Sequence, residues 1–129
     1  MPGDYDKKIL VVDDAVFIRN FIRTAMKMIG LYQVSEAADG RQAWGMIQTK
    51  PFDLIISDWQ MPEMDGLELL KHVRAEEKVQ HIPFLMLTST ADPESVRLAA
   101  EAGVSDYLAK PFRHGPLASK VEKLLGIQS

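Results

Sequence analysis

Three stretches, "KILVVDD" (8–14), "FDLIIS" (52–57) and "IPFLMLT" (82–88), are apolar through their length instead of alternating apolar with polar. Short runs of this kind are strands buried on both faces, which belong to parallel sheets covered by helices on both sides. The intervening sequence supplies those helices. "AVFIRNFIRTAMKMIG" (15–30) sets Ile18, Ile22, Ala25 and Ile29 on one stripe and Arg19, Arg23 and Lys27 off it, with Gly30 closing the helix. "YQVSEAA" reads as a second strand and "DGRQAWGMIQTK" as a helix that Gly45 weakens and Pro51 ends. "LELLKHVRAEE" reads as a third helix. Asp92 followed by Pro93 forms an N-cap with proline at the first helical position, opening a fourth helix with Val96, Ala99 and Ala100 on its apolar side. Gly103 ends it, "SDYLA" is a fifth strand, and a final helix carries Leu117, Val121, Leu124 and Leu125, with Pro116 in its first turn. Five strands alternating with five helices, joined by right-handed crossovers, predict a single doubly wound α/β domain with a central five-stranded parallel sheet.

Composition agrees and excludes several functions. With 129 residues, 47% hydrophobic and 26% charged, the chain suits one compact domain. A net charge of −3 provides no broad basic field, so neither nucleic acid nor a membrane surface is an expected partner. The absence of cysteine removes disulfides, thiolate metal sites and thiol nucleophiles. "MPGDYDKK" has no apolar signal-peptide core and the longest apolar runs are too short to span a bilayer, so a cytoplasmic protein is expected.

In this architecture ligands sit at the carboxyl ends of the strands. The third strand runs into Asp58, the first into Asp13 and Asp14; Thr88 and Ser89 follow the fourth and Lys110 the fifth. Each has an ordinary structural role when taken singly. An aspartate at a strand end often caps a helix or forms a turn, a threonine before a loop bonds locally, and a lysine is commonly a solvated charge. Their conjunction at one edge carries the case. Three converging carboxylates raise one another's pKa values unless a cation sits among them, and oxygen-only donors favour Mg²⁺ or another hard divalent ion. The residues therefore suggest a Mg²⁺-dependent phosphoryl site with Asp58 as carboxylate nucleophile, Lys110 as counter-charge and Thr88 as hydroxyl donor. Asp65 and Gly66 are assigned to the turn and cap of the third helix, and His72, His81 and His114 to ordinary polar positions. Trp44 and the methionines are assigned to packing.

The motifs "ILVVDD", "IISDWQMPEMDGLELLK", "MLTST" and "AAEAGVSDYLAKPF", with the terminal helix, resemble in order and spacing the CheY-like receiver domain of two-component response regulators. The resemblance spans about residues 7–126. It implies a flavodoxin/CheY-like strand order 2-1-3-4-5 and Asp58 as phosphoacceptor. It further implies Mg²⁺, or Mn²⁺ as a substitute, held by Asp14, Asp58 and the Gln60 backbone carbonyl, with Asp13 acting mainly through water. Thr88 and Lys110 would contact the acyl phosphate, Tyr107 would be the aromatic switch partner of Thr88, and Lys110–Pro111 would be a cis peptide. The implied phosphodonor is a histidine kinase, and the implied output is a monomer signalling through its fourth helix, fifth strand and fifth helix to a protein target, in chemotaxis or related phosphosignalling. Gln60 and Thr90 depart from the residues that chemotaxis receivers carry there, in positions that tune the lifetime of the phosphoryl group. "ADPES" replaces a lysine-rich opening of the fourth helix and points to a different target. Residues 1–129 are expected to be one receiver with no output domain. The alternatives are a phosphorelay intermediate or an excised receiver and, in another class, an aspartyl-phosphate hydrolase. That last class wants a second acid two residues after its nucleophile, where Gln60 stands.

Overall fold

The computed structural model describes residues 6–90 and 92–127. Ala91, at the start of "ADPES", and the ends of the 1–129 span lie outside the described residues. Five strands, β1 (Lys8–Val12), β2 (Gln33–Ala37), β3 (Leu54–Asp58), β4 (Phe84–Thr88) and β5 (Asp106–Ala109), alternate with five helices. The helices are α1 (Val16–Met28), α2 (Gly40–Thr49), α3 (Gly66–Ala75), α4 (Pro93–Glu101) and α5 (His114–Leu125). All strand pairs are parallel, in the order β2-β1-β3-β4-β5 that the resemblance implies.

Period-two alternation divides the core into two layers. Ile9, Val11, Leu54, Ile56, Leu85 and Leu87 pack with Ile22, Ala25 and Met26 of α1 and Leu117 and Val121 of α5. Leu10, Val12, Ile55, Phe84 and Met86 pack with Ala43 and Ile47 of α2 and Leu69, Leu70 and Val73 of α3. The strands without polar alternation, β1, β3 and β4, are the inner three, as two-sided burial requires.

Helix ends follow local chemistry. Asp39 caps α2, and Asp92 caps α4 by accepting the Ser95 N–H at 2.7 Å. Asp65 and Glu68 form a reciprocal capping box on α3, so the "MDG" turn is a cap as expected. Gly30 follows α1 at φ +79°, a left-handed conformation that glycine adopts without a Cβ penalty. Two sequence expectations, on α4 and α3, need correction. Ala100 is exposed on α4, because Val96 and Ala99, one turn apart, take the inner side. On α1 the expected stripe holds, with Ile22 and Ala25 buried and Ile18 and Ile29 packed against the same cluster, and Met26 joins it. The third helix stops at Ala75, with Glu76 extended, where Arg74 turns its guanidinium onto the carbonyls of Gln80 and Ile82.

Candidate functional site

Asp58 is the last residue of β3, whose five residues are all buried, and it lies opposite Leu87 of β4. The neighbouring inner strand delivers Asp13 to the same edge: its N–H donates to the Ala37 carbonyl at 3.1 Å, continuing the β1–β2 ladder one step past Val12. Asp13 is 1% exposed and Asp58 7%, while Asp14 is exposed at the rim. Carboxylate oxygens of the three lie within 4.8 Å of one another.

Lys110, just beyond β5, completes the group. Its Nζ lies 3.1 Å from Asp58 Oδ1 and 3.3 Å from Asp13 Oδ2. The Lys110–Pro111 peptide is cis, as the resemblance implies. Burial pushes the Asp58 carboxyl above its ordinary pKa; the Lys110 hydrogen bond opposes that rise and the Asp13 charge adds to it. Burial also acts against the Lys110 ammonium, but the hydrogen bonds and charges of Asp58 and Asp13 outweigh it and the net shift is upward. One cation facing three carboxylates leaves excess negative charge. An oxygen-only donor set with that excess fits a hard divalent ion.

The sheet sorts these residues by parity. Asp58 continues the Leu54–Ile56 row and Lys110 the row of Leu108, both on the α1–α5 layer. Thr88 continues the Phe84–Met86 row, on the layer against which Tyr107 packs. Thr88 is turned to its own loop: its Oγ1 donates to the Thr90 carbonyl at 2.9 Å and accepts the Thr90 N–H at 3.0 Å. Thr88, Thr90, Tyr107, Trp59, Val96 and Ala99 line one crevice. The loop after Asp58 is fixed by backbone bonds, with Trp59 N–H to Leu87 O at 2.9 Å and Gly66 N–H to Trp59 O at 2.7 Å. Gln60 is exposed on that loop.

Asp13, Asp14, Asp58, Thr88 and Lys110 thus lie at one edge, and Ser89 lines a pocket there with Lys110 and Phe17. Asp13, Asp14, Asp58 and Lys110 come together; Thr88, Thr90 and Tyr107 form an adjoining group. None of the three histidines belongs to the acidic cluster, and His114 stacks on Phe21 with ring centroids 3.9 Å apart. Sequence reasoning missed Arg19, Arg23 and Glu36, which join behind the site. Arg19 and Arg23 stand one turn apart on the polar side of α1, and only the β1–β2 register shows that Glu36 faces them.

Comparison with known proteins gives one consistent result. Residues 9–122 match the response regulator receiver domain. The chemotaxis protein CheY of Pseudomonas aeruginosa is 41% identical over 117 residues, covering 91% of this chain and 94% of that protein. The chemotaxis response regulator CheY4 of Vibrio cholerae superposes with a TM-score of 0.86 at 38% identity, over 92% of this chain and 98% of that one. The receiver domain of a sensor histidine kinase from P. aeruginosa, with a magnesium ion coordinated in its active-site cleft, superposes with a TM-score of 0.84 at 30% identity, over 93% and 98%.

Proposed function

Since the chain belongs to the response regulator receiver domain family, we propose that Asp58 accepts a phosphoryl group from the phosphohistidine of a histidine kinase and that the modified protein signals to a partner. The observation that carries this reading is the pairing of a buried strand-end carboxylate, Asp58, with Lys110 at 3.1 Å beside two further acids.

In this reading an Asp58 carboxylate oxygen attacks phosphorus and the bond to the donor's leaving atom breaks. β3 holds the nucleophile rigidly, so little motion has to be frozen out as it attacks. Lys110 offsets negative charge at the phosphoryl group, and its hydrogen bond opposes the rise that burial imposes on the Asp58 carboxyl. Asp14, Asp58 and the Gln60 carbonyl would hold Mg²⁺, or Mn²⁺ in its place, with Asp13 acting through water. The bound ion would supply further charge neutralisation. Thr88 then leaves Thr90 and donates to a phosphoryl oxygen, and the Tyr107 ring turns inward toward the place that Thr88 vacates. The equilibrium between two arrangements of the α4–β5–α5 face shifts, which is the signal. Asp92 and Glu94 give that face an acidic opening, so its protein target is selected against acidic partners. Gln60 and Thr90 set how long the phosphoryl group persists. The protein acts as a monomer in the cytoplasm; among the described residues no helix is long and apolar enough to cross a membrane.

Incubation with acetyl phosphate and Mg²⁺, read by intact mass, tests the reading. Wild type should gain one acid-stable, base-labile phosphoryl group and Asp58→Asn none, while Asp14→Ala should bind Mg²⁺ more weakly. Equal phosphorylation of wild type and Asp58→Asn sinks the assignment, and continuing turnover of phosphate esters indicates an aspartyl-phosphate hydrolase. The likeness to a kinase's receiver domain favours a second reading, a relay in which Asp58 passes the group on. Onward transfer from the phosphorylated protein to a histidine phosphotransfer domain separates the two.

A further inference from the structure

Behind the acid pocket, three charged side chains form a cluster that the proposed chemistry does not use. Glu36 of β2 accepts from Arg19 Nε at 2.8 Å and from Arg23 Nη2 at 2.6 Å and Nε at 3.1 Å. The two arginines then diverge. Arg23 reaches the Val34 carbonyl at 2.9 Å, inside β2 and away from the site, whereas Arg19 Nη1 donates to the carbonyl of Asp13 at 2.5 Å.

That carbonyl stands where the sheet stops supplying partners. The β1–β3 register ends at Val12 opposite Ser57, and the last β1–β2 step is the Asp13 N–H on Ala37. The Asp13 carbonyl is one end of the peptide that links Asp13 to Asp14, so its direction sets how the two carboxylates stand to each other and to Asp58. A guanidinium gripping it from behind, itself fixed by Glu36 and 15% exposed, restrains that peptide. Glu36 also occupies the charge of Arg19, leaving the guanidinium to act as a donor to the backbone and not as a competing cation among the carboxylates.

We infer that Arg19 is a positioning residue for the metal pocket: it orients the Asp13–Asp14 peptide, with Glu36 as its anchor, and thereby tunes divalent-cation affinity. The inference rests on the receiver reading above. Groups that orient metal ligands from outside typically change metal affinity by ~10–100-fold when removed.

Arg23 provides a matched control, being on the same helix, one turn on and bonded to the same carboxylate, without reaching Asp13. Calorimetric Mg²⁺ titration of wild type, Arg19→Gln, Arg19→Lys and Arg23→Gln should show affinity lowered ~10-fold in Arg19→Gln and essentially kept in Arg23→Gln. Both Gln variants should lose thermal stability. Arg19→Lys, which keeps charge and one donor, should recover part of the affinity and keeps the test open if Arg19→Gln folds poorly. In metal-free protein, the Asp14 and Ala15 amide resonances should move in Arg19→Gln and stay in Arg23→Gln. Equal Mg²⁺ affinities in the two Gln variants, whether both lowered or both kept, overturn the role of Arg19. A wild type that takes up no Mg²⁺ overturns the proposed function instead.

Discussion

β3 and β5 both deliver residues to the site, yet they are built differently. β3 has a strand on each side and every one of its residues is buried; β5 closes the sheet, pairs with β4 alone among the strands and has no fully buried residue. Asp58 terminates the first. Tyr107 lies within the second, and Lys110 follows it. Asp58, whose geometry must not change, is carried by a strand locked on four sides, and Tyr107, which is proposed to move, is carried by one with a free edge, where local opening costs less. The outer strand on the other side, β2, is half-buried too, and its Glu36 is tied by charge to α1.

The sharpest way to break this contrast is to empty a site on each strand. Ile56→Ala removes a wholly buried side chain between α1 and α5 and should cost about 2–5 kcal/mol, by transfer and cavity terms together. Leu108→Ala, on the same layer but only partly buried, should cost about 1–2 kcal/mol. Urea denaturation of both variants measures the difference. Equal losses mean that β5 is held as firmly as β3, and the contrast fails.

Gly66 tests rigidity at the end of β3 directly. A Cβ there would stand 2.2 Å from the Asp58 carbonyl oxygen and 2.9 Å from Trp59 Cα, both backbone atoms that cannot swing aside. Gly66→Ala should therefore cost about 1–3 kcal/mol and slow phosphorylation, because α3 or the Asp58 loop has to shift. Gly45→Ala, in open space on α2, should instead stabilise by about 0.5–1 kcal/mol. If Gly66→Ala melts like wild type, the loop after Asp58 is softer than its hydrogen bonds suggest.

The same division decides how much could be read in advance. Unbroken apolar runs reveal inner strands because two-sided burial leaves no room for polar residues, so β1, β3 and β4 were legible, as were the acids at the ends of β1 and β3. Caps at Asp65 and Asp92 were legible because their chemistry is local. Strand order came from family resemblance, and periodicity alone does not determine it. Nothing in the sequence around Glu36 marks it out. Its significance depends on register with β1 and on two arginines 13 and 17 residues away, which no local pattern encodes. Ala100 was misplaced because alanine fits either side of a helix and only packing decides between them.

Charge holds the β2 side, so pH should act there. The Arg23 hydrogen bond, then that of Arg19, holds the Glu36 carboxyl below its ordinary pKa. A carboxyl depressed in the native state binds fewer protons folded than unfolded. Its contribution is complete above the unfolded value of about 4.3 and disappears as pH falls through the lowered native value. Glu36→Gln should lose about 1 kcal/mol at pH 7 and decline less steeply than wild type below pH about 4.3. Stability curves that stay parallel across that window would show that Glu36 titrates alike in both states.

The smallest expected effect concerns the tie that remains to β5. Lys120 of α5 lies 2.9 Å from Asp106 Oδ2 at the start of the strand, with the two side chains 33% and 25% exposed. Water reaches both partners, so their coupling should be about 0.2–1 kcal/mol in a double-mutant cycle of Lys120→Met and Asp106→Asn. Methionine keeps much of the apolar stem, which limits the cycle to the charge. Salt discriminates further: the Debye length shrinks to about 3 Å at 1 M, so the coupling should fade, whereas the Ile56→Ala loss should not. A coupling above about 2 kcal/mol that survives 1 M salt would mean a desolvated, rigid pair. β5 would then be pinned to α5 by electrostatics as firmly as β3 is pinned by its neighbours, and a moving output face would have to be sought elsewhere.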